Sequence, residues 1–293
     1  MLAKTYKSHK DLDFPVNITE KLDGVPGDFY NDNGTIKCRS RQGEEITSVS
    51  HICDELYDIL YPGMHLIGEI YVEGFDFKDI SGLVRRKISD HSTLPLKLYV
   101  HDFYIEGEES ASYHSRILRI LPALHLSVND EIIKTIPGYK VDNAAAFDSR
   151  LKQFFFENPE AEGVMIRSLF GKHSYYKKGW RSPGLLKHKV TNTIDLPINS
   201  FQEALSKDGV PLGMVGRINV TYPSGVDSDE FNDHNEYSII GVGPGKLSHA
   251  ERKEIWENQS AYINRIIEIA YMPDDSYNAL REARFHRFRP DRD

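Results

Sequence analysis

The sequence predicts an α+β protein in two parts that meet near residue 190. Up to Lys189, short β-branched and aromatic runs alternate with stretches of helical periodicity. Past Val190 the texture changes, and a single helical signal interrupts a strand-like region of roughly 100 residues. A chain of 293 residues has room for one large domain or two smaller ones. Apolar residues at 40% and charged residues at 27% support a buried core and argue against disorder.

The elements follow in order. Apolar residues at Ile46, Val49, Ile52, Cys53, Leu56, Ile59 and Leu60 recur at helical spacing until Pro62-Gly63 ends the pattern. Strands are expected at Leu66–Val72 and Leu96–Tyr104, where β-branched and aromatic side chains are dense. A helix across Asn143–Glu157 stops at Asn158-Pro159. The strand Val164–Ser168 then leads into a basic stretch ending at Lys189. In the second part, strands are expected at Gly216–Tyr222 and Tyr237–Val242, split by the acidic run Asp227–Glu236. Ser248 with Glu251 reads as a capping box opening a helix. That helix is expected to carry Ile255, Trp256, Ile263, Ile266 and Ile267 and to run to about residue 272. A five-stranded barrel with one inserted helix accommodates this region.

Composition removes several function classes. Lys plus Arg number 36 and Asp plus Glu 44, a net charge of −8, so a general basic coat for nucleic acid is absent. A local basic face remains compatible with that total. Two cysteines, Cys38 and Cys53, are too few for a disulfide framework or a four-cysteine zinc site, and fit a reducing, cytoplasmic setting. No signal-peptide core and no apolar run of membrane-spanning length is present, so a soluble protein is expected. No Gly-x-x-x-x-Gly-Lys loop and no His-Glu-x-x-His spacing occurs.

The sharpest local signal is Glu20-Lys21-Leu22-Asp23-Gly24. Alone it is a surface turn with a solvated lysine. Downstream, however, come Ser40-Arg41-Gln42-Gly43, then Leu66-Ile67-Gly68-Glu69-Ile70-Tyr71, then Leu98-Tyr99-Val100-His101-Asp102-Phe103. Glu162-Gly163-Val164-Met165-Ile166-Arg167 and Leu185-Leu186-Lys187-His188-Lys189 follow, and Arg284–Arg292 lies near the end. This ordered set resembles the motifs of ATP-dependent DNA ligases of the covalent nucleotidyltransferase superfamily, in the compact two-domain form of bacteriophages and large DNA viruses. The resemblance extends over nearly the whole chain.

It implies a nucleotidyltransferase (adenylation) domain of antiparallel sheets with flanking helices over residues 1–190, then an OB-fold β-barrel domain over 191–293. It implies that Lys21 attacks the α-phosphorus of ATP, releases pyrophosphate and carries AMP as a phosphoramidate. The AMP then passes to the 5′-phosphate of a nick, and the 3′-hydroxyl displaces it. An amine attacks only in its neutral form, which neighbouring cations favour, and Lys187 and Lys189 are such cations. All three steps are phosphoryl-type transfers, so positioning and charge neutralisation dominate.

By the same resemblance Asp23 belongs to the catalytic group with Lys21, Lys187 and Lys189, and Thr19 contacts the adenine edge. Glu69 meets the ribose hydroxyls. Glu162 supports the divalent metal, Mg²⁺ or Mn²⁺, with Glu69 as a second candidate; Mg²⁺ needs only one or two protein carboxylates besides phosphate oxygens. Arg41, Lys187 and Lys189 match phosphate contacts, and Arg289, Asp291 and Arg292 match the last motif, which orients pyrophosphate. Two positions depart from the pattern. Pro26 stands where many relatives have Arg, with Arg39 or Arg41 as possible replacements, and His101 stands where an aromatic stacks on adenine, with Phe103 as the alternative.

From Arg167 to Lys189 there are seven Lys or Arg and no Asp or Glu. This is either a solvated basic face or a duplex-backbone contact, since phosphate contacts supply sequence-independent affinity. Beside an adenylation site the second reading gains weight, with Arg41, Lys177, Lys178 and Arg181 as contacts and Arg85, Arg86 and Lys87 as an extension. The run Asp227–Glu236, with five acids, is expected to face away from DNA. The resulting expectation is a monomeric ATP-dependent DNA ligase on nicked duplex DNA, in the cytoplasm or, if viral, the host-cell cytoplasm. The rivals are an RNA ligase or mRNA-capping guanylyltransferase of the same superfamily, or an inactive nick-binding homologue.

Overall fold

The structure is a computed structural model that describes residues 1–223, 237–272 and 280–289. The chain divides into two compact units, Met1–Lys189 and Val190–Asp293. Two five-stranded sheets build the first. In chain order its elements are β1 (Leu2–Thr5), β2 (Val16–Glu20), β3 (Val25–Asp32), β4 (Thr35–Arg39), α1 (Ser50–Glu55), β5 (Met64–Tyr71), α2 (Phe77–Val84) and β6 (Lys97–Ile105). Then follow α3 (Tyr113–Ser127), β7 (Ile133–Thr135), β8 (Gly138–Val141), α4 (Ala144–Glu157), β9 (Gly163–Ser168) and β10 (Arg181–Lys189). One sheet runs β1-β10-β9-β2-β8 and the other β4-β3-β5-β6-β7. Pairing is antiparallel except for β1 with β10 and β6 with β7.

Local chemistry explains several of these elements. Asn33-Gly34, both at positive φ, makes the two-residue turn between β3 and β4, because a left-handed turn matches strand twist. Ser112 and Asn143 cap α3 and α4 by accepting the Ser115 and Ala146 N–H groups. The apolar set from Ile46 to Leu60 is buried apart from Cys53, which is partly so, but only Ser50–Glu55 is regular helix. Short turns flank it, and burial of the same face is achieved without a continuous helix.

Strand β6 carries a bulge. Val100 pairs with Gly68 and Asp102 with Ile67, which leaves His101 as the extra residue. The bulge keeps Leu98, Val100 and Phe103 on one face, in a core with Phe29, Leu66 and Ile70. Gly68 is obligatory in this ladder, since a Cβ there would lie 2.3 Å from Leu98 Cδ1 and 2.6 Å from the Tyr99 carbonyl.

The second unit holds β11 (Asn192–Leu205), β12 (Pro211–Pro223), β13 (Tyr237–Val242), α5 (His249–Glu257), β14 (Ile266–Met272) and β15 (Arg281–Phe288). The sheet order is β13-β12-β11-β14-β15. Its two edges are bridged at Gly243, whose N–H donates to the Ala283 carbonyl and whose carbonyl accepts the Phe285 N–H, both at 2.9 Å, and the Lys246 N–H donates to the Phe285 carbonyl at 3.1 Å. Among the described residues the expected barrel is therefore a curled five-stranded sheet whose edges are bridged around Gly243, not a closed ladder. Ile198, Val215, Ile218, Val242, Ile255 and Ile267 fill its core. The capping box at Ser248 and Glu251 is present.

The helix expected to run to residue 272 ends at Glu257, and Ile266 and Ile267 lie on β14. Pairing of β14 with Asn192–Pro197 overrides the local pattern. The run Asp227–Glu236 lies outside the described residues.

Candidate functional site

A cleft of about 740 Å³ opens in the first unit, and both of its sheets contribute to the lining. Lys21 directly follows β2, and its N–H donates to the Gly163 carbonyl at 2.9 Å. The turn Leu22-Asp23-Gly24 then enters β3. Only glycine fits at 24: a Cβ would sit 2.4 Å from the Ile70 carbonyl oxygen and 2.8 Å from Glu69 Cγ. The spacing of Lys21 and Gly24 is thus a packing requirement at the point where β3 meets β5.

Glu162 sits between two ammonium groups. Lys21 Nζ donates to Oε2, and Lys189 Nζ lies 3.2 Å from Oε1, outside hydrogen-bonding geometry. The carboxylate is 8% exposed and Lys21 18%, so the pair is poorly screened. Gly163 permits this placement. It holds φ at +155°, and a Cβ would meet the His188 carbonyl at 2.2 Å.

Glu69 lines the cleft from β5, opposite Pro26 of β3. Burial pushes its carboxyl up to about 7, against the pull of the Lys21 and Arg41 charges and with a further push from Glu162 and Asp23. His101 Nε2 is 3.9 Å from Glu69 Oε2. On the other side of the ring, Arg167 Nη2 donates to His101 Nδ1 at 3.0 Å. Burial, then the Arg167 charge, hold this imidazole well below its usual range, so it is neutral.

Behind His101 lies a buried ion triad. Asp102 accepts two hydrogen bonds from Arg116, at 2.9 and 3.0 Å, and one from Arg167 Nη1 at 3.2 Å. Arg116 also donates to the carbonyls of Ala111 and Ser174. The triad fastens β6 to α3 and β9. Arg167 is 4% exposed, so the basic stretch is not one solvated face.

A second network borders the cleft at Asp28 of β3. It accepts from Arg39 Nε and pairs with His65 Nδ1, each at 2.8 Å, and Lys178 Nζ is 3.9 Å away. Burial pushes the Asp28 carboxyl up, but the His65 and Arg39 hydrogen bonds outweigh it and leave the group below its ordinary value. His65 stacks between Tyr30 and Tyr104, and Tyr104 on Tyr176, with centroids 5.6, 4.3 and 4.1 Å apart. No sequence motif flagged Asp28, His65 or Arg116. Their signal is tertiary, and alternation in β3 and β5 alone marks Asp28 and His65 as facing away from the Phe29 core.

The sequence-derived residues distribute as follows. Thr19, Lys21, Arg41, Glu69, His101, Lys187 and Lys189 line the cleft, as do Lys178 and Arg181. Arg41 is presented by the turn Ser40–Glu44, closed by the Ser40 N–H donating to the Glu44 carbonyl and the Glu44 N–H donating to Ser40 Oγ. Glu162 is held against Lys21. Asp23 does not line the cleft, though its charge reaches Glu69. Phe103 is corrected: it is 1% exposed in the core, because the bulge at His101 turns it away. Arg85, Arg86 and Lys87 are exposed just after α2, and Lys177 is exposed before β10. Arg289 belongs to the second unit, where Nε pairs with Asp195 and Nη1 with Glu268. Asp291 and Arg292 lie outside the described residues. Among the described residues no cluster of three His, Cys, Asp or Glu is arranged to hold a metal. None of their helices is long and apolar enough to cross a membrane.

A family model described as the ATP dependent DNA ligase domain matches residues 1–189. No curated protein matches the sequence. Among solved structures, one designated Pmar-Lig_Pre shares 22% identity over 98% of the chain with a TM-score of 0.78. The chain covers 66% of that protein, just under two thirds of its length. A minimal-scaffold Lig E DNA ligase shares 21% identity, with 98% of both chains covered and a TM-score of 0.72. The Chlorella virus DNA ligase-adenylate shares 23% identity, covering 100% of this chain and 98% of that one, with a TM-score of 0.51. At these identities the likeness is one of fold, and it agrees with the α+β class of antiparallel sheets with flanking helices.

Proposed function

The chain belongs to the ATP-dependent DNA ligase family, and on that premise we propose that it seals nicks in duplex DNA through a lysyl-AMP intermediate. Residues 1–190 act as the adenylation domain and 191–293 as an OB-fold domain. The observation that carries the reading is the contact between Lys21 and Glu162 in a nucleotide-sized cleft that Arg41, Lys187 and Lys189 also line.

In the first step Lys21 Nζ attacks the α-phosphorus of ATP. The N–P bond forms, the bond from Pα to its bridging oxygen breaks, and pyrophosphate leaves with the electron pair. Lys21 must give up a proton, and Glu162 is in place to receive it. Arg41, Lys187 and Lys189 offset the charge that develops on the phosphates. AMP then passes to the nick 5′-phosphate, and attack by the 3′-hydroxyl expels it. Thr19 and His101 bound the base, Glu69 the ribose, and Arg289, Asp291 and Arg292 orient pyrophosphate.

Magnesium or manganese would be held by Glu162 or Glu69 together with phosphate oxygens, and supplies charge neutralisation on the triphosphate. The donor set fits. Glu162 Oε1 accepts no hydrogen bond, and two carboxylates suffice for a hard cation that brings most of its ligands as phosphate and water. Lys177, Lys178 and Arg181 contact duplex backbone, with Arg41 and the Arg85–Lys87 segment extending that surface. The chain acts as a monomer in the cytoplasm, or in the host-cell cytoplasm if viral, during replication, repair or recombination.

Incubation with α-labelled ATP or GTP, followed by a denaturing gel, tests the reading. Covalent label from ATP that Lys21→Ala abolishes, with joining of a nicked duplex, supports it. Label from GTP alone would indicate a capping guanylyltransferase, joining confined to RNA an RNA ligase, and no label an inactive nick-binding homologue.

A further inference from the structure

We propose that His101 and Glu69 together read one ribose hydroxyl of the nucleotide, His101 Nε2–H donating to its oxygen and the Glu69 carboxylate accepting its hydrogen. The inference rests on the ATP site proposed above, and it concerns how that site recognises sugar.

Three observations carry it. First, Arg167 Nη2 donates to His101 Nδ1 at 3.0 Å. A guanidinium can only donate, so Nδ1 supplies its lone pair and the one ring proton sits on Nε2. Asp102 locks that arrangement from behind by binding Arg167 Nη1 at 3.2 Å. The ring orientation is therefore set by a buried ion triad, not by the nucleotide.

Second, the separation of Nε2 from Glu69 Oε2 is 3.9 Å. This is too long for a direct hydrogen bond, which needs roughly 3.2 Å or less. It is a span that one hydroxyl oxygen bridges at about 2.8 Å from each partner. A donor on one side and an acceptor on the other match the two hydrogen-bonding modes of a single hydroxyl.

Third, both groups line the same cleft, and they come from the adjacent strands β5 and β6. Tyr99 pairs with Glu69, so alternation along β6 brings His101, two residues on, to the Glu69 side, and the bulge then turns Phe103 to the opposite face. The ring edge serves the sugar, and the ring face remains available to the base.

A phenyl ring at this position keeps the face and loses the donor. That defines the experiment: lysyl-AMP formation from ATP, 2′-deoxyATP and 3′-deoxyATP by the full-length wild type, His101→Phe, Glu69→Gln and the double variant. The wild type is expected to favour ATP over one of the two deoxy analogues by about 10- to 100-fold in kcat/KM, the range for losing hydrogen bonds to a charged or fixed group. His101→Phe should reduce that preference about 10-fold, with the loss on ATP falling more on KM than on kcat. In His101→Phe the deoxy analogue that already lacks the hydroxyl should lose about 10-fold less than ATP does. Glu69→Gln should erode preference for the same hydroxyl, and the double variant should add little to either single change, because the two groups share one contact.

The ratio between nucleotides guards against misreading a folding defect. His101→Phe leaves Arg167 Nη2 without its acceptor, and any resulting loss of stability slows all three nucleotides alike. Equal slowing of ATP and both analogues would overturn the proposal and leave His101 as a stacking surface only. A wild type indifferent to both hydroxyls, or a His101→Phe variant with full preference, would overturn it too. Failure of the wild type to form any adduct with ATP would instead overturn the ligase reading itself, so the two failures are distinguishable.

Discussion

Lys21 and Lys189 are joined by one carboxylate: Glu162 meets the first through Oε2 and the second through Oε1. Two ammonium groups, one just past β2 and one at the end of β10 in the same sheet, are thus held at the cleft by a single, nearly buried negative charge.

Glu162→Gln tests that arrangement. The amide keeps the shape but removes the charge that holds two cations and can receive the Lys21 proton. Lysyl-AMP formation should fall by about 100-fold or more, the scale for removing one preorganised electrostatic group. Single-turnover labelling measures it, and a near-normal rate would contradict the role given to Glu162.

Gly163→Ala should be worse for folding than its size suggests. The φ of +155° and the His188 carbonyl 2.2 Å from the added Cβ force β9 and β10 apart, costing about 1–3 kcal/mol from the strained backbone alone. Gly82→Ala is the matched control. Nothing lies within 4 Å of its added Cβ and it sits inside α2, so a gain of about 0.5–1 kcal/mol is expected. Denaturant midpoints of the two variants should move in opposite directions.

Asp28 links stability to acid. Burial opposes its ionisation, but the His65 and Arg39 hydrogen bonds win and the folded group titrates below its ordinary value. A depressed carboxyl contributes stability that is present above the unfolded pKa of about 3.9 and is lost as pH falls through the lower folded value. Asp28→Asn should therefore be less stable than wild type near neutrality, and the gap should narrow below about pH 4. Chemical denaturation across that range checks the sign.

Neutralising Lys177, Lys178 and Arg181 together should weaken binding to any duplex sequence alike. Each lost phosphate contact should lower the log–log salt slope by about 0.9. Self-adenylation needs no DNA and should survive. An unchanged slope would return these side chains to the solvated-face reading.

Arg289→Ala probes the last motif without removing a core strand. Deleting from residue 284 onward would also remove Phe285, which is buried in the second unit. The substitution should slow reaction with ATP more than sealing of a nick already carrying 5′-AMP, since the latter releases no pyrophosphate. Equal loss in both assays would point to folding through the lost pairs with Asp195 and Glu268.

What the sequence determined by itself was local. The capping box at Ser248 and the helix that Asn143 caps rest on contacts within a few residues, so pattern suffices to find them. The order of motifs from Lys21 to Lys189 likewise pointed to one family. Tertiary structure decided the rest. Ile266 and Ile267 suit a helix or a strand equally, and pairing with Leu196 and Pro197 chose the strand. His101 and Phe103 competed for one role until the register of β6 on β5 placed a bulge between them and buried Phe103. Arg167 counted as a surface cation until Asp102, 65 residues away, drew it inside. A buried charge or a shifted register is set by a partner distant in sequence, and no local pattern encodes which partner that is.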